Sequence, residues 1–92
     1  MIKADFSNGR ITIEGHSRPF ICNMVSTLCR AFEAAIKELC RNVECDITNE
    51  YGKMNIVYKA PTTSAQTLLS AFFIGLKEIE RDFPEEIKVS KH

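Results

Sequence analysis

The sequence contains no tryptophan and only three prolines and four glycines among its 92 residues. No apolar run approaches the ~20 residues that a membrane-spanning helix needs. The N-terminus lacks the basic and apolar pattern of a secretory signal. A soluble, cytoplasmic chain that does not engage a membrane is therefore expected. Charge of one sign is missing as well: twelve basic side chains balance twelve acidic ones. That balance provides no electrostatic footprint for nucleic acid, so no direct nucleic-acid partner is expected. Disorder is excluded by an apolar fraction of 45%, which is ordinary for a folded protein. The chain is too short to hold a second core, so residues 1–92 are read as one domain.

Cysteines are present at 22, 29, 40 and 45, but no CxxC pair occurs and the spacings match no zinc template. Neither a metal site nor an organic cofactor is expected. With no sign of an oxidising compartment, these are free thiols, and three of them read as small buried hydrophobes.

The order of elements follows from periodicity. Ile2, Ala4 and Phe6 alternate with polar residues, Asn8-Gly9 turns the chain, and Ile11 and Ile13 alternate again. Residues 1–16 therefore form a hairpin ending at His16. From Cys22 a helical stripe runs through Val25, Leu28, Cys29, Phe32, Ala35, Ile36, Leu39 and Cys40, which predicts a helix over 22–41 with Asn42 as its left-handed stop. A second hairpin has Val43, Cys45 and Ile47 on one arm, a turn over 49–52, and Met54, Ile56 and Tyr58 on the other. Pro61 breaks this strand. Thr63 with Gln66 resembles a capping box for a helix over 63–83 that Pro84 stops. Ile87 and Val89 make a final short strand. The order ββαββαβ implies an α+β two-layer sandwich, with two helices packed on one face of a single sheet. The adjacent pairs Leu68-Leu69 and Phe72-Phe73, with Ile74, spread apolar surface beyond one stripe. They point either to a helix lying flat on its own sheet or to a second subunit.

Chemistry concentrates in residues 15–26. Cys22 stands in the first turn of the expected helix, where the helix dipole favours a thiolate and unpaired N–H groups can receive an oxyanion. His16, six residues earlier, can take the thiol proton, and Gly15 lets the chain turn back so that imidazole faces sulfur. Ser26 lies one turn after Cys22, where its hydroxyl can assist the site or bond back to a helix carbonyl. Arg18 either steers an acidic substrate or stands in solvent. A Cys22 that merely continues the core stripe is the competing reading. Lys77 with Glu80 and Glu78 with Arg81 read as a solvated face, and His92 as part of a frayed tail.

Gly15-His16-Ser17 followed by Cys22-Asn23-Met24-Val25-Ser26 resembles the Gly-His-Ala…Cys-Ala-x-Val-Ser signature of the ribosomal-processing cysteine protease family called Prp. The stretch Gly75 to Pro84 is similar to the end of that family's second helix. The resemblance implies a cytoplasmic bacterial endopeptidase, a homodimer, that removes an N-terminal extension from a large-subunit ribosomal protein. It carries the base to His16, the nucleophile to Cys22, and supporting or substrate-binding roles to Gly15 and Ser26. Pro19 and Arg18 stand where the family usually has an aspartate, and Asn23 where it has a small residue. These departures sustain a second reading, a catalytically silent protein-binding homologue of the same fold.

Overall fold

A computed structural model describes residues 1–40, 43–50, 52–59 and 62–92. The elements run β1 (Ile2–Ser7), β2 (Arg10–Gly15), α1 (Pro19–Leu39), β3 (Glu44–Glu50), β4 (Lys53–Lys59), α2 (Thr63–Asp82) and β5 (Ile87–Lys91). This is the ββαββαβ order that the periodicity implies. The strands form one sheet in the order β3-β4-β2-β1-β5. Neighbours are antiparallel except β1 and β5, which run parallel with Ile2 beside Ile87 and Ala4 beside Val89.

The period-2 pattern decides which side of the sheet is buried. Ile2, Ala4 and Phe6 of β1 turn inward with Ile11 and Ile13 of β2, Ile56 of β4, and Ile87 and Val89 of β5. Ile21, Val25, Cys29, Phe32 and Ile36 of α1 meet Ala65, Phe72, Leu76 and Ile79 of α2 in the same core. Phe32 stacks on Phe72 with ring centroids 4.7 Å apart, and Phe6 of the sheet packs edge-on against Phe73 at 5.0 Å. Helix-to-helix approach is close at Gly75, where a β-carbon would lie 3.3 Å from the Leu28 side chain.

Several local expectations shift. Helix α1 starts at Pro19, three residues before the expected start at Cys22. Proline's fixed φ suits the first helical position, where its missing N–H is no loss. The helix ends at Leu39, with the N–H of Cys40 bonded to the Ile36 carbonyl. The buried row from Ile36 continues to Cys40, so Leu39 lies beside it and is 68% exposed rather than core. The cap of α2 is Thr62, not Thr63: its hydroxyl accepts the N–H of Ala65, while Thr67 bonds back to the Thr63 carbonyl. The second hairpin turns more tightly than expected, since Asn49 and Glu50 pair with Met54 and Lys53. The helix stop read at Asn42 and the strand break read at Pro61 lie outside the described residues. His92 is not frayed: its N–H donates to the Phe6 carbonyl at 2.7 Å and its ring lies 3.4 Å from Asp5.

Among the described residues no helix is long and apolar enough to cross a membrane. The pairs Lys77–Glu80 and Arg81–Glu78 form on the exposed side of α2 as expected.

Candidate active site

The site is built where β2 hands over to α1. Gly15 closes β2 with φ +101°, a conformation that a side chain would strain, and a β-carbon there would lie 2.2 Å from the Met1 carbonyl oxygen. Its N–H donates to the Gly52 carbonyl at 3.1 Å, which ties the end of β2 to the turn between β3 and β4. The next residue, His16, is therefore delivered to that turn. Gly52, at φ +73°, leaves the space the imidazole occupies: a β-carbon on residue 52 would be 2.7 Å from Nε2.

Three residues, His16, Ser17 and Arg18, connect β2 to α1. Cys22 is the fourth residue of α1, on the same turn as the helix start and half-buried. Its sulfur is held by Ser17 on both sides of one residue: the Ser17 N–H donates to Sγ at 3.4 Å and the thiol donates to the Ser17 carbonyl at 3.4 Å. Ser26 follows one turn later and is exposed.

A cleft of about 410 Å³ brings these residues together. Gly15, His16, Cys22 and Ser26 all line it, with Ile2, Ile13, Val25 and Met54 as apolar wall and Asn23, Arg30, Asn49 and Lys53 as polar rim. All four residues singled out in the sequence thus face one space. Cys29 also borders the cleft, but it is 3% exposed and burial pushes its thiol up to about 11. It remains a protonated packing group at neutral pH. Cys40 is buried too, and Cys45 is half-buried, its thiol raised chiefly by burial and then by Asp46 and Glu33. Among the described residues no cluster of three or more His, Cys, Asp or Glu side chains could hold a metal ion.

Two features of the site depart from expectation. Because α1 starts at Pro19, the backbone N–H groups of Ile21 and Cys22 are already bonded to the Arg18 carbonyl, at 3.0 and 3.1 Å. They are not the unpaired donors pictured for an oxyanion, and the N–H that faces the sulfur belongs to Ser17. Arg18, in turn, forms a two-pronged pair with Glu86 and lies 4.7 Å over the Phe20 ring. Glu86 also accepts a hydrogen bond from the Ser17 hydroxyl at 3.1 Å. Arg18, followed by Ser17, holds its carboxyl below the usual glutamate range. Sequence reasoning missed Glu86, which lies 64 positions beyond Cys22 and between the last helix and the last strand. Only the tertiary fold brings it to the connection.

The family model described as cysteine protease Prp matches residues 1–88. The ribosomal-processing protease Prp of Staphylococcus aureus, solved with a covalently linked product peptide, superposes with a TM-score of 0.90 at 23% identity, covering 100% of both chains. The same protease with a substrate peptide gives a TM-score of 0.84 at 19% identity, again over 100% of both chains. A Streptococcus mutans protein gives 0.82 at 21% identity, covering 99% of this chain and 96% of its own. At these identities the likeness establishes the fold. No curated protein sequence matches the chain.

Proposed function

The chain belongs to the cysteine protease Prp family, and on that premise we propose that it is a cysteine endopeptidase that trims an N-terminal extension from a large-subunit ribosomal protein. The observation that carries this reading is the shared cleft of His16 and Cys22, with Gly15 and Ser26 at its edge. The S. aureus relative was solved with peptides in substrate and product form, so a peptide is the natural occupant to propose for this cleft.

His16 takes the proton of Cys22, and the N-terminal end of α1 favours the resulting thiolate. The sulfur attacks the scissile carbonyl carbon, and the electron pair of the C=O bond moves to oxygen. The Ser17 N–H, already directed at the sulfur, is the donor best placed to meet that developing charge. Collapse of the tetrahedral intermediate expels the amine, which His16 protonates, and leaves a thioester. The expelled amine is the new N-terminus of the shortened protein. Water, deprotonated by His16, then releases the extension from the thioester as a carboxylic acid and restores the thiol. Acyl transfer of this kind calls for neither metal nor organic cofactor.

The proposal includes a homodimer through α2. Much of the helix's surplus apolar surface is taken up by its own sheet, since Phe72 is buried and Leu68, Leu69 and Phe73 pack partly against the core. Ile74 is left 60% exposed, and a partner subunit is what would cover it. The test of the enzymatic reading is incubation with the ribosomal-protein precursor from the same organism. Cleavage by the wild type and none by Cys22→Ala supports it. Binding without cleavage by the wild type establishes the silent homologue instead.

A further inference from the structure

We propose that Glu86 is a positioning residue for the nucleophile: its carboxylate clamps Ser17 and Arg18 and so holds the Ser17 N–H on the Cys22 sulfur. This rests on the reading of Cys22 as the reacting thiol.

The anchor end is tied to the sheet by backbone hydrogen bonds. The Glu86 N–H donates to the Phe83 carbonyl at 3.0 Å, and the Glu86 carbonyl accepts from Ile2 at 2.9 Å. Ile2 is itself paired with both Gly15 and Ile87. The carboxylate therefore projects from backbone fixed to the central strands. It reaches the β2–α1 connection at two adjacent residues. One oxygen takes the Ser17 hydroxyl and the Arg18 Nε, and the other takes an Arg18 terminal nitrogen. Phe83, three residues before Glu86, continues the seam by packing edge-on against Phe20 of α1 at 5.4 Å, with Arg18 over that same ring.

A short connection gains most from such a tie. A carboxylate shared between a hydroxyl and a guanidinium fork restricts both residues, and charge-assisted, two-pronged bonds are the strong ones. What is restricted is the Ser17 peptide, whose N–H lies 3.4 Å from Sγ. Arg18 and Pro19, which lead into the first turn of α1, carry no carboxylate of their own. The clamp supplies a carboxylate to the same connection from the opposite end of the sequence.

Glu86→Ala and Glu86→Gln test this with two readouts on the full chain. The first is the alkylation rate of Cys22 by iodoacetamide near neutral pH, which needs no substrate. The second is the kcat and KM for cleavage of the ribosomal-protein precursor. Glu86→Ala is expected to slow alkylation and lower kcat by about tenfold, the scale of one lost hydrogen bond to the reacting group, with KM little changed. Glu86→Gln, which keeps an acceptor for the Ser17 hydroxyl, is expected to recover part of the alkylation rate. The proposal is overturned if the folded Glu86→Ala protein alkylates at the wild-type rate, as it would if Glu86 served stability alone. Faster alkylation also overturns it, because that is the result of merely removing an anion and freeing Arg18. A wild type that cleaves nothing, yet whose alkylation depends on Glu86, rejects the protease reading and leaves the positioning role standing.

Discussion

The His16 imidazole occupies the space that a side chain on residue 52 would need: a β-carbon at Gly52 would lie 2.7 Å from Nε2. The ring proposed as the base is thus placed by a turn between two other strands, and the backbone there must stay bare. Gly52→Ala is expected to push the ring away from the cleft and to lower kcat by about a hundredfold, the low end of what a positioned acid–base group contributes. It also strains a residue at φ +73°, at a cost of roughly 1 kcal/mol. Gly9→Ala separates the two effects. Gly9 has a similar φ of +82° and its β-carbon would meet the Tyr58 carbonyl at 3.3 Å, but Gly9 does not line the cleft. Thermal melting should show a comparable loss in both variants, and only Gly52→Ala should lose activity.

The two cysteines that border the cleft should respond in opposite ways. Cys22→Ala removes one half-buried sulfur and should leave the melting temperature near that of the wild type while abolishing both cleavage and selective alkylation. Cys29→Ala leaves a small void in the core beside Val25 and Phe32, and should cost about 1–2 kcal/mol. Alkylation at Cys22 should persist in that variant, and in the wild type Cys29 should stay unlabelled, because burial pushes its thiol up to about 11 and leaves it unreactive at neutral pH. Mass spectrometry of the labelled protein, with denaturant unfolding of each variant, checks both halves.

Acid should loosen the end of the chain that carries the clamp. The Glu80 carboxylate accepts the Val89 N–H at 2.8 Å and pairs with Lys77, and these contacts, Val89 first, hold its carboxyl low. Glu86 is held low by Arg18 and then Ser17. For a carboxylate whose folded value lies below its unfolded one, the stabilisation is complete above the unfolded value. It is lost as pH falls through the folded value. Stability should therefore be flat near neutrality and decline only once the pH drops below the ordinary glutamate range. Melting temperature measured against pH should show this, and Glu80→Gln should flatten part of the acid limb.

The elements and their order were legible because each carried its own period, from Ile2-Ala4-Phe6 in β1 to Phe72-Leu76-Ile79 in α2. That His16 and Cys22 would line one cleft could be read because only a three-residue connection and the first turn of α1 separate them. Element ends were less legible. Pro19 fits a helix start as well as a loop, and only the packing of Ile21 against the core decides for the helix. That shift of one turn also occupies the Cys22 N–H. Glu86 had no local signal at all, since nothing in Pro84-Glu85-Glu86 indicates which acidic residue turns toward a loop built by residues 16–18. Neither did Gly52, whose role depends on β4 pairing with β2 and so bringing its turn beside Gly15.

The oligomeric proposal makes the remaining prediction. Of the apolar residues that spread α2 beyond one stripe, Phe72 is buried within the subunit and Ile74 is 60% exposed. If α2 meets its copy, Ile74 is buried on association, and Ile74→Lys places two like charges in that contact. Sedimentation velocity should then show a concentration-dependent dimer for the wild type and a monomer for Ile74→Lys. Lys77→Glu tests the neighbouring charged side, where Lys77 pairs with Glu80 and lies 5.9 Å over the Phe73 ring. Exposed pairs of this kind are worth about 0–1 kcal/mol, so that variant should still dimerise. A wild type that sediments as a monomer at every concentration removes the partner from the proposal, and then Ile74 is simply a solvent-facing residue on a helix whose other apolar side chains are served by its own sheet.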